Sequence, residues 1–285
     1  MSTLFTRGVA LALLALSLTG CANLGPIQEF GKLSADGAAY TRLSDEYIAS
    51  HEVRKRYTFE ADSAQRDVLS RQSAERQPQR AQLQVFHRAV TDYMHALADL
   101  AADDLTRYDA EVDGLVDAAA GSNYIAPDQA GAVKAVTRLL ADAASNGYRQ
   151  KELKQVIERA NGPLQIVLGA MTRVMAAFDS SIQDERAAYT RYQRTMLAMA
   201  RENNREPVAA QLVWTESNLV FHQYDERSKA IPAYVATLAN IAAAHQALYD
   251  NRDNIGDKEV LAQLKRQTRS IRSALRLARA GADPT

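Results

Sequence analysis

The chain has 285 residues with 34 basic and 34 acidic side chains, and this zero net charge gives no argument for nucleic-acid binding, which needs a basic surface. A single cysteine excludes an intramolecular disulfide, so core packing alone must hold the folded part together. With only 13 glycines and 7 prolines and almost no strand-favouring runs, the composition favours an all-α protein.

The first 21 residues have the pattern of a secretion leader. Arg7 precedes an apolar run over residues 9–18, and the small residues Thr19 and Gly20 follow before Cys21. Because an apolar run of about ten residues is half the roughly 20 needed to cross a bilayer, we expect a cleaved signal rather than a transmembrane helix.

The end of this leader carries a family resemblance. Leu18-Thr19-Gly20-Cys21 resembles the lipobox of bacterial lipoproteins, an aliphatic residue and two small residues before a cysteine. The resemblance implies that residues 1–20 are removed and that Cys21 becomes the lipidated first residue, whose several acyl chains exceed the two signals needed for stable anchoring. Ala22 at the next position, rather than Asp, implies the outer membrane, facing the periplasm. The alternative is that Cys21 is an ordinary small residue.

The mature chain is predicted to begin with a short tether. Residues 21–26 form this lipidated tether, in which Gly25-Pro26 makes a turn or an extended spacer. Apolar residues then recur every three or four positions from Ile27 to about Ala74, which predicts helix, with a division near residues 34–37.

The remaining chain is predicted to form long helices with short connections. The stripe that begins at Leu83 has near-heptad spacing, Pro163 is expected to separate two helices, and Pro232 is expected to bend one. The predicted helices are 79–119, 127–145, 148–160, 164–203, 207–249 and 258–280. The fold class is therefore all-α: an elongated antiparallel bundle of about four long helices plus short helices over residues 27–280, before a polar tail at 281–285.

One helix face carries a candidate metal or acid–base site. An imidazole between carboxylates can bind a divalent metal or act as a general base. His222 and Glu226, four apart on a later helix, can supply a second half, but no Glu-x-x-His pair of the di-iron type occurs. A solvated polar face is the favoured interpretation, with no metal and no cofactor expected. The candidates are Asp92, His95, Asp99 and Asp103.

The last helix carries a basic stripe beside its apolar seam. Such a helix can bind anionic lipid head groups or an acidic protein. Alternatively the stripe faces the acidic stretch 99–117 inside the bundle, with its cations placed favourably at a helix C-terminus. The stripe consists of Arg266, Arg269, Arg272, Arg276 and Arg279.

Two segments, 189–194 and 214–224, combine aromatic residues with Arg or other polar residues. This composition is typical of binding hot spots, and equally of the boundary where a bundle core meets water. Neither a phosphate-binding loop, nor a Gly-x-Ser-x-Gly elbow, nor a His-Glu-x-x-His motif occurs in the sequence.

These patterns predict a non-enzymatic, lipid-anchored envelope lipoprotein that faces the periplasm and acts as a structural or adaptor component. Its expected partners are the membrane, through Cys21, and an envelope protein; self-association is left open. One alternative is a metal-binding or small-ligand-binding bundle centred on His95 and Asp99. Another is an inhibitor or immunity-type lipoprotein.

Overall fold

The computed structural model describes residues 24–103, 126–202 and 207–282, and within these ranges all regular structure is helical. Four of the described helices exceed 20 residues, which confirms the predicted all-α bundle. A 3₁₀ turn over Gln150–Glu152 precedes α6. The helices are α1 (Gly25–Ala38), α2 (Arg42–Arg56), α3 (Ser63–Arg76), α4 (Gln79–Ala101), α5 (Pro127–Ser145), α6 (Leu153–Glu202), α7 (Pro207–Asp250) and α8 (Lys258–Ala282).

An antiparallel hairpin of α6 and α7 forms the spine of the bundle. With 50 and 44 residues, the two helices are about 75 and 66 Å long at 1.5 Å per residue. Lys154 forms an ion pair with Asp253 at one end, and Arg186 contacts Asp225 at 2.8 Å farther along. We call the end that holds the α7–α8 loop, residues 251–257, the base.

The first and last helices run side by side away from the base. Arg272 of α8 lies 2.6 Å from Glu29 of α1, and Arg279 lies 2.9 Å from Asp36, so partners seven residues apart on one helix match partners seven apart on the other. This register makes α1 and α8 parallel. Both helices are antiparallel to α7.

The register places the start of α1 at the base. A Cβ atom on Gly37 would lie 3.2 Å from Thr237 Cγ2, 13 residues before the end of α7. Gly25 is twelve residues earlier on α1, about 18 Å nearer the base. The start of α1 and the start of α7 therefore lie at opposite ends of the described bundle.

The core of the base is built on the stripe predicted for α4. A Cβ atom on Gly31 of α1 would lie 2.6 Å from the Met94 carbonyl oxygen and 2.9 Å from Ala98 Cβ, so glycine allows α1 and α4 to pack closely. The predicted stripe positions up to residue 100 are buried, which confirms this face, and the later ones lie outside the described residues: the buried ones are Leu83, Phe86, Val90, Tyr93, Leu97 and Leu100.

The predicted tether and tail are both too long. The structure places Gly25 and Pro26 in the first turn of α1, where proline is favoured, and Leu24 and Pro26 are buried. At the other end Gly281 and Ala282 belong to α8 and are buried. The prediction of two pieces before residue 74 is also wrong, because α1, α2 and α3 form three helices.

The helix predicted over 79–119 ends earlier. Regular helix stops at Ala101, and Asp103 adopts φ 57°, in the left-handed region where a helix cannot continue. The Asp103 carboxylate accepts the Gln150 N–H at 3.1 Å, which joins this turn to the start of α6. The rest of the predicted helix lies in residues 104–125, outside the described ranges.

The predicted break at Pro163 is wrong, because α6 is continuous from Leu153 to Glu202. A proline removes one helical hydrogen bond and costs about 3 kcal/mol in a helix interior. Ala160 and Leu164 on either side are fully buried, and the Asn161 amide donates to Gln246 of α7 at 2.8 Å. We attribute the continuity to these tertiary contacts, which outweigh the local signal.

Candidate functional site

The far end of the hairpin extends beyond the other described helices. We call this part the arm: residues 193–202 of α6 and 207–219 of α7. Among the side chains that the structure describes from residue 191 to residue 216, none is buried. Ser217, whose hydroxyl donates to the Val213 carbonyl at 2.6 Å, is the first buried residue toward the base.

Large apolar side chains are exposed mainly on this arm. In the described ranges only Val68, Ile166 and Leu277 share that exposure elsewhere, and they lie on three different helices. Clustered exposed apolar residues on a soluble surface mark interaction sites, whereas scattered ones need no explanation. The arm residues are Met199 (53 % exposed), Val208 (70 %), Leu212 (65 %), Trp214 (55 %) and Leu219 (64 %).

Three of these residues form an outer stripe on α7. Val208, Leu212 and Leu219 are four and seven residues apart, so at about 100° per residue they lie within roughly 40° of one another around the helix. Ser217 and Tyr224, which are buried, lie on the opposite side. The arm segment of α7 is thus apolar on two faces, of which α6 covers one.

The outer stripe ends abruptly toward the base. The next positions on the same face are Gln223 and Glu226, so the apolar part is about three turns, or about 17 Å, long. The helix from Pro207 was predicted from the sequence, but its second apolar face was not. The spacing of four and seven residues between Val208, Leu212 and Leu219 would have indicated this face.

Aromatic rings close the hairpin where the arm begins. Tyr189 packs edge-on against Tyr57 at 4.7 Å and against Phe221 at 5.3 Å between ring centroids, and Tyr224 lies 6.3 Å away. The structure therefore brings together residues from the two predicted aromatic segments, while Trp214 stays apart on the arm. Tyr57, in the α2–α3 loop, was missed because nothing in its local sequence marks it.

A buried carboxylate lies just below these rings. Glu185 is 1 % exposed; Arg227 Nη1 is 3.9 Å from its Oε2, and Arg227 Nε is 3.3 Å from Glu46 Oε2. Burial raises the pKa of Glu185 to about 8, against the opposing charge of Arg227. The Arg227 guanidinium thus lies within 4 Å of two carboxyl groups, those of Glu46 and Glu185.

A hydrogen-bonded relay joins three helices at the base. The Tyr93 hydroxyl donates to His245 Nε2 at 2.6 Å, and His245 Nδ1 donates to Asn161 Oδ1 at 2.9 Å. The carbonyl oxygen of Asn161 can only accept, which fixes the imidazole proton on Nδ1. Burial lowers the pKa of His245 to about 3, so the ring stays neutral and acts structurally.

A second buried imidazole makes a pair that resembles a nucleophile and its base. The Ser44 hydroxyl donates to His87 Nε2 at 2.8 Å, and His87 Nδ1 donates to the Ala38 carbonyl at 2.6 Å. Ser44 is 6 % exposed and His87 4 %, so a substrate has no access to this pair. Its role is structural: the His87 ring provides a hydrogen bond to the Ala38 carbonyl oxygen, which has no partner within helix α1.

The metal candidates do not converge on a site. Asp92 lies 3.6 Å from Arg88 in an ion pair along one helix, and His95 is exposed to solvent. Asp99 is half-buried and Asp103 ends the helix. Across residues 24–103, 126–202 and 207–282, no group of three or more His, Cys, Asp or Glu side chains is arranged to hold a metal ion.

The basic stripe of α8 divides into two parts. Arg272 and Arg279 pair with Glu29 and Asp36 of α1, whereas most of the acidic stretch 99–117 lies outside the described residues. Arg266, Arg269 and Arg276 are exposed, and they form no ion pair with any residue that the structure describes. Their use as a contact surface stays a prediction.

The lipidation candidate, Cys21, lies outside the described residues. None of the helices in the described ranges combines the length and apolarity required for a membrane span. Fold and surface together define an all-α bundle with a projecting two-helix arm. No family model, curated protein or solved structure matches the chain.

Proposed function

We propose that this protein is a lipid-anchored, periplasm-facing adaptor of the bacterial envelope that binds a protein partner on its arm. The observation that carries the proposal is the concentration of exposed apolar side chains on the arm. Exposing apolar side chains to water is unfavourable, and a cluster of them on a protein surface usually marks a binding site for a partner. The lipobox at Cys21 supplies the anchor.

The polarity of the bundle supports an adaptor role. Gly25, four residues after Cys21, lies at the base, whereas Val208 lies at the opposite end of α7. About 41 residues of helix separate the two levels, which corresponds to about 60 Å. A membrane anchor at the base therefore presents the outer stripe at that height above the lipid surface.

The outer stripe fits an amphipathic helix of the partner. Leu212 and Leu219 are seven residues apart, the repeat that lets two helices keep one apolar seam in contact. Stable interfaces use some 20–30 residues on each side, and three turns of one helix offer far fewer. We therefore expect reversible binding rather than a permanent complex.

The test is capture of the partner from the native envelope in mild detergent, with variants of the full chain. Leu212→Glu with Leu219→Glu places two charges on the outer stripe. Gln211→Glu with Asn218→Glu places the same charges, at the same spacing, on exposed positions of α7 beside it. We expect the first pair to reduce recovery of a stoichiometric partner at least tenfold and the second pair to leave it unchanged.

A photo-crosslinking residue at position 212 provides a second, independent measurement of where the partner binds. It should give one discrete adduct with the same partner, because position 212 lies inside the contact. Equal recovery by both double variants, or equal loss in both, would contradict docking on the outer stripe. Both double variants should retain the unfolding temperature of the wild type, because these side chains are exposed.

A further inference from the structure

A cleft opens beside the root of the arm, between the α2–α3 loop and α6. Its volume is about 380 Å³, which lies within the range of small-molecule sites. We call it the loop cleft. The residues that matter for its chemistry are Arg54, Tyr57, Phe59, Leu69, Arg191 and Tyr192.

One wall of the loop cleft is aromatic. The rings of Phe59 and Tyr192 lie 5.1 Å apart at 31°, and Tyr57 lies 5.9 Å from Tyr192. These three rings are half-buried, so part of each ring faces the cleft, while Leu69 is buried beneath. A planar ring can stack on such a wall, in the offset geometry that aromatic pairs prefer.

The other wall is cationic. Arg191 is exposed, and it makes no hydrogen bond or ion pair through its guanidinium with any described residue. Arg54 bonds to Asp184 at 3.1 Å, a carboxylate that is itself 64 % exposed. Asp62 is the acidic residue of the lining, and its Oδ1 accepts the Gln65 N–H as the N-cap of α3.

The loop is held in place before any ligand arrives. Arg66 donates to the carbonyl oxygens of Lys55 at 3.3 Å and Thr58 at 2.9 Å, and the Thr58 hydroxyl donates to the Arg54 carbonyl at 3.1 Å. These bonds fix the position of Phe59 relative to α6. A preformed cleft binds without the entropic cost of ordering a loop.

We propose that the loop cleft binds a small anionic molecule with a planar aromatic ring. The ring lies against Phe59 and Tyr192, and the carboxylate or phosphate group accepts hydrogen bonds from Arg191, with Arg54 as the second cation of the lining. Guanidinium groups suit both anions, because their parallel N–H donors match two oxygens at once.

The test uses calorimetric titration of the purified full chain with 2-naphthoate and with 2-naphthyl phosphate. We expect saturable one-to-one binding of at least one of them, and at least tenfold weaker binding of neutral 2-naphthol. Arg191→Gln should weaken anion binding about tenfold or more, because hydrogen bonds to a charged group are stronger than those to a neutral one. Tyr192→Leu should weaken all aromatic probes.

The matched control is Arg194→Gln, one turn along α6 and outside the lining of the cleft. It should leave the affinity unchanged. The proposal is overturned if neither anion binds saturably, or if Arg194→Gln weakens binding as much as Arg191→Gln does. It is also overturned if only the arm variant Leu212→Glu with Leu219→Glu abolishes binding, since the probe would then adsorb to the apolar arm.

Discussion

A single buried hydroxyl joins three helices of the base. Tyr93 of α4 donates to His245 of α7, and His245 donates to Asn161 of α6, so each polar atom in the relay has its partner. Another buried hydroxyl, that of Tyr234, has no hydrogen-bond partner among the described residues. These two tyrosines are equally buried and differ in what their hydroxyl groups contact.

This difference predicts opposite outcomes for the same substitution. Tyr93→Phe leaves His245 Nε2 buried without a donor, and we expect it to lower the free energy of unfolding by about 1–3 kcal/mol. Tyr234→Phe removes a hydroxyl that is already unpaired, and it should be neutral or slightly stabilising. Urea unfolding followed by circular dichroism measures both. Equal losses in the two variants would mean that the relay adds no stability.

Glu185 makes stability depend on pH in a predictable direction. Its pKa in the folded protein is about 8, against 4.5 as the ordinary value, because burial disfavours the charge. Between these values the folded protein keeps a proton that the unfolded chain releases. The contribution of this group is therefore complete below pH 4.5 and is lost as the pH rises through 8.

Glu185→Gln should remove that dependence. The free energy of unfolding of the variant relative to the wild type should rise with pH between about 4.5 and 8, by up to about 1.4 kcal/mol per pH unit. Denaturation curves at pH 5, 6, 7 and 8 give the slope. Glu216→Gln, at an exposed position on the arm, serves as the control and should give a flat difference. A flat line for Glu185→Gln would show that its carboxyl group is ionised in the folded protein.

At the scale of single helices, the apolar periodicity predicted a helix face correctly where tertiary packing buries that same face. The buried face of α4 follows from its apolar spacing alone, because one face of that helix meets α1 and the core. The continuity of α6 through Pro163 did not follow, since it depends on partners such as Gln246 that are about 80 residues away in sequence. The left-handed turn at Asp103 carries no local signal, because glycine or asparagine normally marks it.

The candidate sites also combine features that the local sequence shows with features that depend on contacts between distant segments. The outer stripe was present as a spacing, but only the structure reveals that α6 covers the opposite face of α7. The loop cleft combines a loop after α2 with the last third of α6, and no sequence pattern links Phe59 to Tyr192. Two arginines of the α8 stripe pair with α1 across more than 240 residues, a contact that neither of the two uses predicted for the stripe included.

Two helical glycines provide a matched prediction about packing. At Gly131 of α5 a Cβ atom would meet no surrounding atom within 4 Å, so Gly131→Ala should raise stability by about 0.5–1 kcal/mol through helix propensity. At Gly31 it would lie 2.6 Å from the Met94 carbonyl oxygen. Gly31→Ala should therefore lower stability by about 1–3 kcal/mol. Thermal unfolding of both variants checks the close approach of α1 and α4, and a stabilising Gly31→Ala would refute it.

At the scale of the whole molecule, the chain has a defined top and bottom. The N-terminal helix starts at the base, and α6 and α7 carry the arm to the opposite end. The proposed lipid on Cys21 would fix this axis relative to the membrane. The α8 stripe positions Arg266 and Arg269 lie in the half of α8 nearer the base, the side that faces the lipid in this orientation.

The anchor itself is tested by Cys21→Ser. We expect this variant to lose incorporation of labelled fatty acid and to move from the membrane fraction to the soluble fraction, because the lipid is the proposed membrane attachment. Ala22→Ser, one position later, keeps the thiol and should behave as the wild type. If Cys21→Ser retains both labelling and membrane fractionation, the anchoring proposal is wrong.

The lack of buried side chains on the arm also determines where the bundle unfolds locally. Between residues 191 and 216 no described side chain is buried, so separating the two arm helices exposes little additional apolar surface and requires a small free energy. The amide hydrogens of the arm should therefore exchange with solvent by local fraying, while those of α4 and of α6 near Ala160 exchange only when the whole bundle unfolds. A partner bound to the arm would slow exchange of the arm amides and leave exchange of the core amides unchanged. Hydrogen exchange can therefore report whether the arm is occupied.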